Sequence, residues 1–168
     1  QRMALEADPT FRACESLDGG KKGLECARTI ALLSYRCEEG YNLKQQEPSD
    51  DTLFADRAGS YHRYQGHKFA EKFDAYSYYY LSLSVDSNNL GRNRGGEAAA
   101  LGMIRAEATF IVIDSDLIFP PYRMKWMSGQ VKGSKFHEIK SHFGHDGFFL
   151  ECAQLDELIR PIVNSLTE

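Results

Sequence analysis

The sequence predicts an α/β protein in which a helical front half precedes a strand–helix–strand–helix run. Three observations carry this expectation. The first half shows apolar residues at three- and four-residue spacing, the signature of amphipathic helices. A short β-branched and aromatic run, ATFIVID at 108–114, then changes the period. A weaker strand candidate, KFHEIKS at 135–141, follows after enough chain for a crossover helix. Strands joined through such a crossover lie parallel.

Taken in order, LECARTIALLSYR at 24–36 is rich in good helix formers with a helical apolar stripe. Residues 38–60 are polar and carry Gly40, Pro48 and Gly59, so they read mostly as connection. In the next segment Tyr61, Tyr64, Phe69 and Phe73 fall along one helical face, with His67, Lys68, Glu71 and Lys72 turned to water. Asp74 reads as the N-cap of a further helix through the tyrosine cluster at 76–80. NNLGRNRGG at 88–96 is a loop by its Asn and Gly content. The run at 108–114 has the character of a fully buried strand, and PPYRMKWMSGQV starts a helix at a proline tolerated in the first turn. HFGHDGF is a glycine-punctuated loop. Leu155, Leu158, Ile159, Ile162, Val163 and Leu166 then form a helical stripe, interrupted by Pro161, where a kink or break is expected. Two parallel strands make a poor sheet alone, so the rest of a larger sheet is expected N-terminal to Gln1. The polar opening QRMALEADPTF likewise reads as the interior of something longer.

Composition narrows the function classes. A net charge of −4, with the 20 Lys and Arg residues scattered, argues against a nucleic-acid or anionic-membrane surface. No run of 18 apolar residues is present to span a bilayer. The cysteines Cys14, Cys26, Cys37 and Cys152 form no C-x-x-C pair. Buried, reduced thiols are expected, as in a cytoplasmic protein. His137, His142 and His145 lack a supporting carboxylate pattern, so no metal is expected.

Two segments can carry chemistry. IDSDLIFP sets Asp114 and Asp116 at the end of the first strand, and FGHDGF sets His145 and Asp146 just after the second. Sites in open α/β sheets gather beyond the carboxyl ends of strands, so both loops point to one edge. An acid followed by a histidine is also the order of the last two members of a Ser–Asp–His triad. In such a triad the carboxylate fixes the imidazole tautomer and stabilises the imidazolium that forms. Each residue alone has a plainer reading, as a turn former or an exposed histidine. No G-x-S-x-G elbow occurs within the 168 residues. That leaves a fragment, a different nucleophile, or a protein without catalytic function.

Five ordered segments resolve the choice: GLECARTIALLSYR, YQGHKFAEKFDAYSYYYL, GRNRGG, DSDLIFP and GHDGFFLE. Together they resemble the successive signatures of the homoserine O-acetyltransferase family, from about Arg2 to about Ile162. The resemblance implies the C-terminal part of an α/β-hydrolase fold preceded by a helical lid. It places the lid region with its flanking helix at 1–92 and the core part at 93–168. It also implies a serine nucleophile upstream, with Asp116 as triad acid and His145 as triad base. By the same resemblance Asp146 binds the α-ammonium of L-homoserine, Arg28 holds its carboxylate, and Tyr35 lines the tunnel. Helical spacing agrees in one respect, since Arg28, Leu32 and Tyr35 at i, i+4 and i+7 share a face about 10 Å long. The implied activity is ping-pong transfer of acetyl from acetyl-CoA as co-substrate, with no permanent cofactor. A cytoplasmic homodimer built through lid helices is implied as well. Succinyl-CoA as donor, serine as acceptor, a plain esterase, and a non-catalytic dimerisation module are the alternatives.

Overall fold

The computed structural model describes residues 1–12 and 18–165. Among them the chain forms α1 (Arg2–Glu6), α2 (Lys21–Tyr35), α3 (Glu38–Gln45), α4 (Arg57–Ala70), α5 (Ala75–Ser87) and α6 (Glu97–Gly102). These are followed by β1 (Thr109–Ile113), α7 (Pro121–Gln130), β2 (Lys135–Ile139), a 3-10 turn Gly144–Asp146, α8 (Gly147–Leu150) and α9 (Cys152–Ser165). The chain divides into two compact units. One comprises Gln1–Leu33 and Asn42–Asn88, the other Ser34–Tyr41 and Asn89–Glu168.

The first unit is helical. Its core gathers Leu5, Phe11, Leu24, Ala27, Ala70, Ala75 and Tyr79. Asp8, after α1, is the polar keystone. Its carboxylate accepts hydrogen bonds from the Thr10 amide (2.9 Å), the Thr10 hydroxyl (2.7 Å) and the Gly23 amide (2.9 Å). The last of these satisfies an otherwise orphaned donor in the first turn of α2. Burial pushes the Asp8 carboxyl up, but those donors outweigh it, so the group titrates below the usual carboxylate range. Asp74 caps α5 as expected, accepting from the Ser77 amide at 2.7 Å.

The buried face of α4 differs from the expected aromatic one. His62, Gly66 and Ala70 are buried at four-residue spacing, while Tyr64 is exposed. The backbone of α2 comes so close that a Cβ on Gly66 would lie 2.6 Å from the Glu25 carbonyl oxygen. Only small residues fit that crossing, which excludes the aromatic stripe from it. Residues 38–60 are also less irregular than expected, because α3 occupies Glu38–Gln45. Glu38 and Glu39 in its first turn and Lys44 in its last complement the helix dipole.

The second unit holds the sheet. β1 and β2 are parallel, in a register running from Thr109 opposite Lys135 to Ile113 opposite Ile139. α7 begins with Pro121 at its first position and makes the crossover. The core here comprises Ala100, Leu101, Val112, Ile113, Val131 and Ile139. β1 is not buried throughout: only Val112 and Ile113 are. β2 is its one hydrogen-bonded neighbour among the described residues. α9 is strongly amphipathic, yet none of its described residues is buried, and Ile159 and Val163 are exposed. It continues through Pro161 without the expected break. Pro161 and Glu157 are both exposed, so water can solvate the Glu157 carbonyl that a proline leaves unpaired. Leu166, the last member of the expected stripe, lies outside the described residues.

The burial expected of the cysteines is not found. Cys26 and Cys152 are exposed and Cys37 half-buried, all three unbridged. Cys14 lies outside the described residues. Cys26 belongs to a stripe with Ile30 and Leu33 that faces away from the buried side of α2, formed by Gly23, Leu24, Ala27, Ala31 and Leu32. No helix among the described residues is long and apolar enough to cross a membrane.

Candidate active site

Parallel pairing sends both strands out of the sheet at the same edge, so the loops after Ile113 and Ile139 meet there. Three consecutive residues after β1 each engage the loop after β2. The Asp114 carboxylate accepts from the Ser141 amide at 3.0 Å. The Ser115 hydroxyl donates to the Ser141 carbonyl (2.6 Å) and accepts from the Gly144 amide (3.1 Å). Asp116, buried, accepts at Oδ2 from His145 Nδ1 at 2.8 Å. Its other oxygen takes the Ile118 and Phe119 amides at 2.7 and 3.0 Å. Asp116 is therefore locked by its own turn, and its second oxygen is aimed at the imidazole. With Nδ1 engaged by the carboxylate, Nε2 is the nitrogen available for proton transfer.

Asp114, the other acid at the strand end, faces Ser141 and Lys140 (3.2 Å) rather than His145. Burial raises its carboxyl, and the Ser141 amide and Lys140 ammonium more than offset this, leaving it below the usual range. The same contact raises Lys140.

A second tripeptide holds the histidine loop from the other side. The Tyr35 ring meets His145 edge to face at 5.3 Å between centroids. The Arg36 guanidinium pairs with Asp146 Oδ2 at 2.6 Å. The Cys37 thiol donates to the His142 carbonyl at 2.8 Å. The backbones themselves touch. Gly144 has φ +61°, and a Cβ there would lie 2.7 Å from the Cys37 amide nitrogen and 2.8 Å from the Tyr35 carbonyl oxygen. A Cβ on Gly40 would lie 1.7 Å from the His142 carbonyl oxygen. Phe119 and Phe148 complete the apolar surround of His145, at 5.4 and 5.3 Å. Asp116, His145, Phe119 and Phe148 also line a pocket of about 200 Å³ against the sheet residues Ile111 and Ile113.

Of the five residues singled out from sequence, Tyr35, Asp116, His145 and Asp146 thus come together in one unit. Arg28 belongs to the other unit, where its guanidinium lies 4.9 Å from the centre of the Phe69 ring. Sequence reasoning missed Ser115, Arg36 and Cys37. Their only signal was adjacency to residues already singled out, since the contacts they make span 26 to 110 positions of chain. Among the described residues no three His, Cys, Asp or Glu side chains cluster as metal ligands.

No family model matches the chain. Curated relatives do. A homoserine O-acetyltransferase of Cyclobacterium marinum is 39% identical over 160 residues, covering 95% of this chain and 45% of that protein. One from Thermus thermophilus is 36% identical over 160 residues, covering 94% and 39%. The chain therefore spans less than half the length of the relatives it matches. Among solved structures, esterase E22 superposes with a TM-score of 0.79 at 17% identity, over 95% of this chain and 47% of that one. A homoserine O-acetyltransferase from Bacillus anthracis superposes at 0.74 and 20% identity, over 86% and 42%. Two parallel strands with a crossover helix, loops meeting at the carboxyl edge and these likenesses agree. The chain has the fold of the C-terminal part of an α/β-hydrolase, and over nearly all its length its sequence is related to the homoserine O-acetyltransferases.

Proposed function

We propose that this chain is the acid–base half of a homoserine O-acetyltransferase whose serine nucleophile lies in a segment N-terminal to Gln1. The observation that carries this is the 2.8 Å contact between Asp116 Oδ2 and His145 Nδ1 at the carboxyl edge of parallel strands. His145 Nε2 takes the serine proton as the serine attacks acetyl-CoA, and CoA leaves as the thiol. His145 then deprotonates the γ-hydroxyl of L-homoserine, which attacks the acetyl-serine ester and regenerates the serine. Asp116 holds the tautomer and balances the imidazolium in both halves. Asp146 receives the acceptor's ammonium, Arg28 its carboxylate, and Tyr35 forms wall beside the base. The helical segment 24–91 acts as the lid and contributes to a homodimer, in the cytoplasm.

The test uses the complete protein. With acetyl-CoA and L-homoserine it should release CoA and form O-acetylhomoserine with parallel-line ping-pong kinetics. Faster turnover with succinyl-CoA or L-serine would reassign donor or acceptor. Hydrolysis of acetyl esters without transfer to any amino acid would replace the transferase reading by an esterase one.

A further inference from the structure

The chain leaves β2 through Ile139, Lys140 and Ser141, and along extended backbone the polar groups of successive residues point to opposite sides. Ile139 and Ser141 are turned toward β1. The Ile139 carbonyl accepts from the Asp114 amide at 3.0 Å, and the Ser141 amide donates to the Asp114 carboxylate at 3.0 Å. Lys140 is turned the other way, and among the described residues β2 has no strand on that side. Both of its backbone groups are nevertheless met there, by a single side chain from the first turn of α9. Gln154 Oε1 accepts from the Lys140 amide at 3.1 Å, and Gln154 Nε2 donates to the Lys140 carbonyl at 2.8 Å. Nε2 also donates to Glu151 Oε2 at 3.0 Å, so both its hydrogens are used and the amide has one orientation. The carboxamide thus does for Lys140 what a neighbouring strand would do. Helix α9 itself does not require this, since a glutamine turned to water is as good a helix former.

We propose that Gln154 is a positioning residue for the base. Its two bonds to Lys140 close the segment 140–154 on itself, and His145 lies within that segment. A segment whose ends are joined has fewer arrangements open to it. Asp114 and Ser115 grip its entry from the β1 side, and Gln154 grips the same entry from the α9 side. With both sides held, the backbone that carries His145 starts from a fixed point, and the imidazole stays against Asp116. Gln154 acts through the Lys140 backbone and not on the reacting atoms. Its removal lets the segment shift, and a misplacement of about 1 Å can cost on the order of 10²-fold in rate. The loss falls on kcat, because no substrate contact is removed. This inference rests on His145 as the general base of the reading above, and not on which donor or acceptor is used.

The test uses the complete protein with two variants. Gln154→Met keeps the length and helix propensity of the side chain and removes all three bonds. Gln154→Asn keeps the amide but falls one methylene short of Lys140. With acetyl-CoA and L-homoserine, kcat for CoA release should fall about 3- to 30-fold in Gln154→Met, while KM for acetyl-CoA stays within about twofold. The acid-side limb of the kcat/KM pH profile, which reports the base, should shift as well. Gln154→Asn should fall as far, because reach is lost even though the amide remains. An unchanged kcat in Gln154→Met overturns the proposal, and so does a rise in KM with kcat intact. A fall in kcat fully accounted for by a smaller burst of CoA, with the pH profile unmoved, overturns it too and makes Gln154 a brace of the fold alone. Should Gln154→Met not fold, the same readings on Gln154→Asn decide. A wild type that hydrolyses acetyl esters without using homoserine sinks the transferase reading but keeps the base, and the variants are then read on ester hydrolysis. A wild type with neither activity sinks the base itself, and this inference with it.

Discussion

Asp116 and Asp114 stand two positions apart on one strand end, and their environments assign them different work. Asp116 is buried, receives two amides of its own turn on one oxygen and holds His145 with the other. Asp116→Asn keeps the shape but favours the wrong imidazole tautomer. In the complete protein kcat should fall by on the order of 10³–10⁴, read in steady-state CoA release. Ser115 acts at one remove. Its hydroxyl joins the Ser141 carbonyl to the Gly144 amide, directly ahead of the histidine. Ser115→Ala should lower kcat by up to about 30-fold, since the two lost bonds are worth about 1 kcal/mol each and 1.4 kcal/mol is a decade. KM for acetyl-CoA should hold, and the acid-side limb of the pH profile, where a general base is lost to protonation, should shift, which a loss of bulk stability alone would not cause. Gly144→Ala places a side chain at φ +61° against the Cys37 and Tyr35 backbone. It should cost at least about 1–2 kcal/mol in urea unfolding, from the left-handed backbone alone.

Each unit leans on a carboxylate that ties separate elements together. Asp8 joins the turn after α1 to the first turn of α2, and Asp114 joins the end of β1 to the loop after β2. Asp8→Ala removes a buried acceptor of three hydrogen bonds and should destabilise by about 2–3 kcal/mol in a denaturant melt. Both groups titrate below the usual carboxylate range in the fold. A depressed folded pKa stabilises fully above the unfolded value, near 4, and that contribution is lost as pH falls through the folded value. Stability should therefore hold from neutral pH to about 5 and drop below about 4. Asp8→Ala should flatten the drop, which a pH series of thermal melts will measure.

α9 carries an apolar stripe on which no described residue is buried, and Phe149 and Leu150 are exposed beside it. Apolar surface on this scale marks a contact face. The 168-residue chain expressed alone should self-associate, giving a mass above 19.0 kDa by light scattering. Ile159→Glu with Val163→Glu should lower that mass; a concentration-independent monomer from the unmodified chain would contradict the expectation. The chain alone should also fail to turn over acetyl-CoA, because its 168 residues contain no G-x-S-x-G serine for His145 to deprotonate.

The local rules were legible in the sequence. Periodicity marked α2 and α5, Asp74 announced its cap, Pro121 its helix start, and the strand–helix–strand order fixed parallel pairing and hence the shared edge of the two loops. That topology brought both Asp114 and Asp116 to the edge shared with His145; the choice of Asp116 came from the family resemblance, and in the structure Asp116 is the one that meets the imidazole. What sequence could not supply was contact between distant backbones. The buried face of α4 was misread because only the approach of Glu25 reveals that Gly66, not an aromatic, faces α2. The exposure of Cys26 depends on which side of α2 its neighbours cover. Arg36 and Ser115 were overlooked because their partners lie 110 and 26 to 29 positions away. Helix and strand formation is decided by bonds within a few residues, so sequence determined the elements. Which side chain meets which is decided by packing after the chain has closed on itself, and only the tertiary structure could set Arg36 against Asp146.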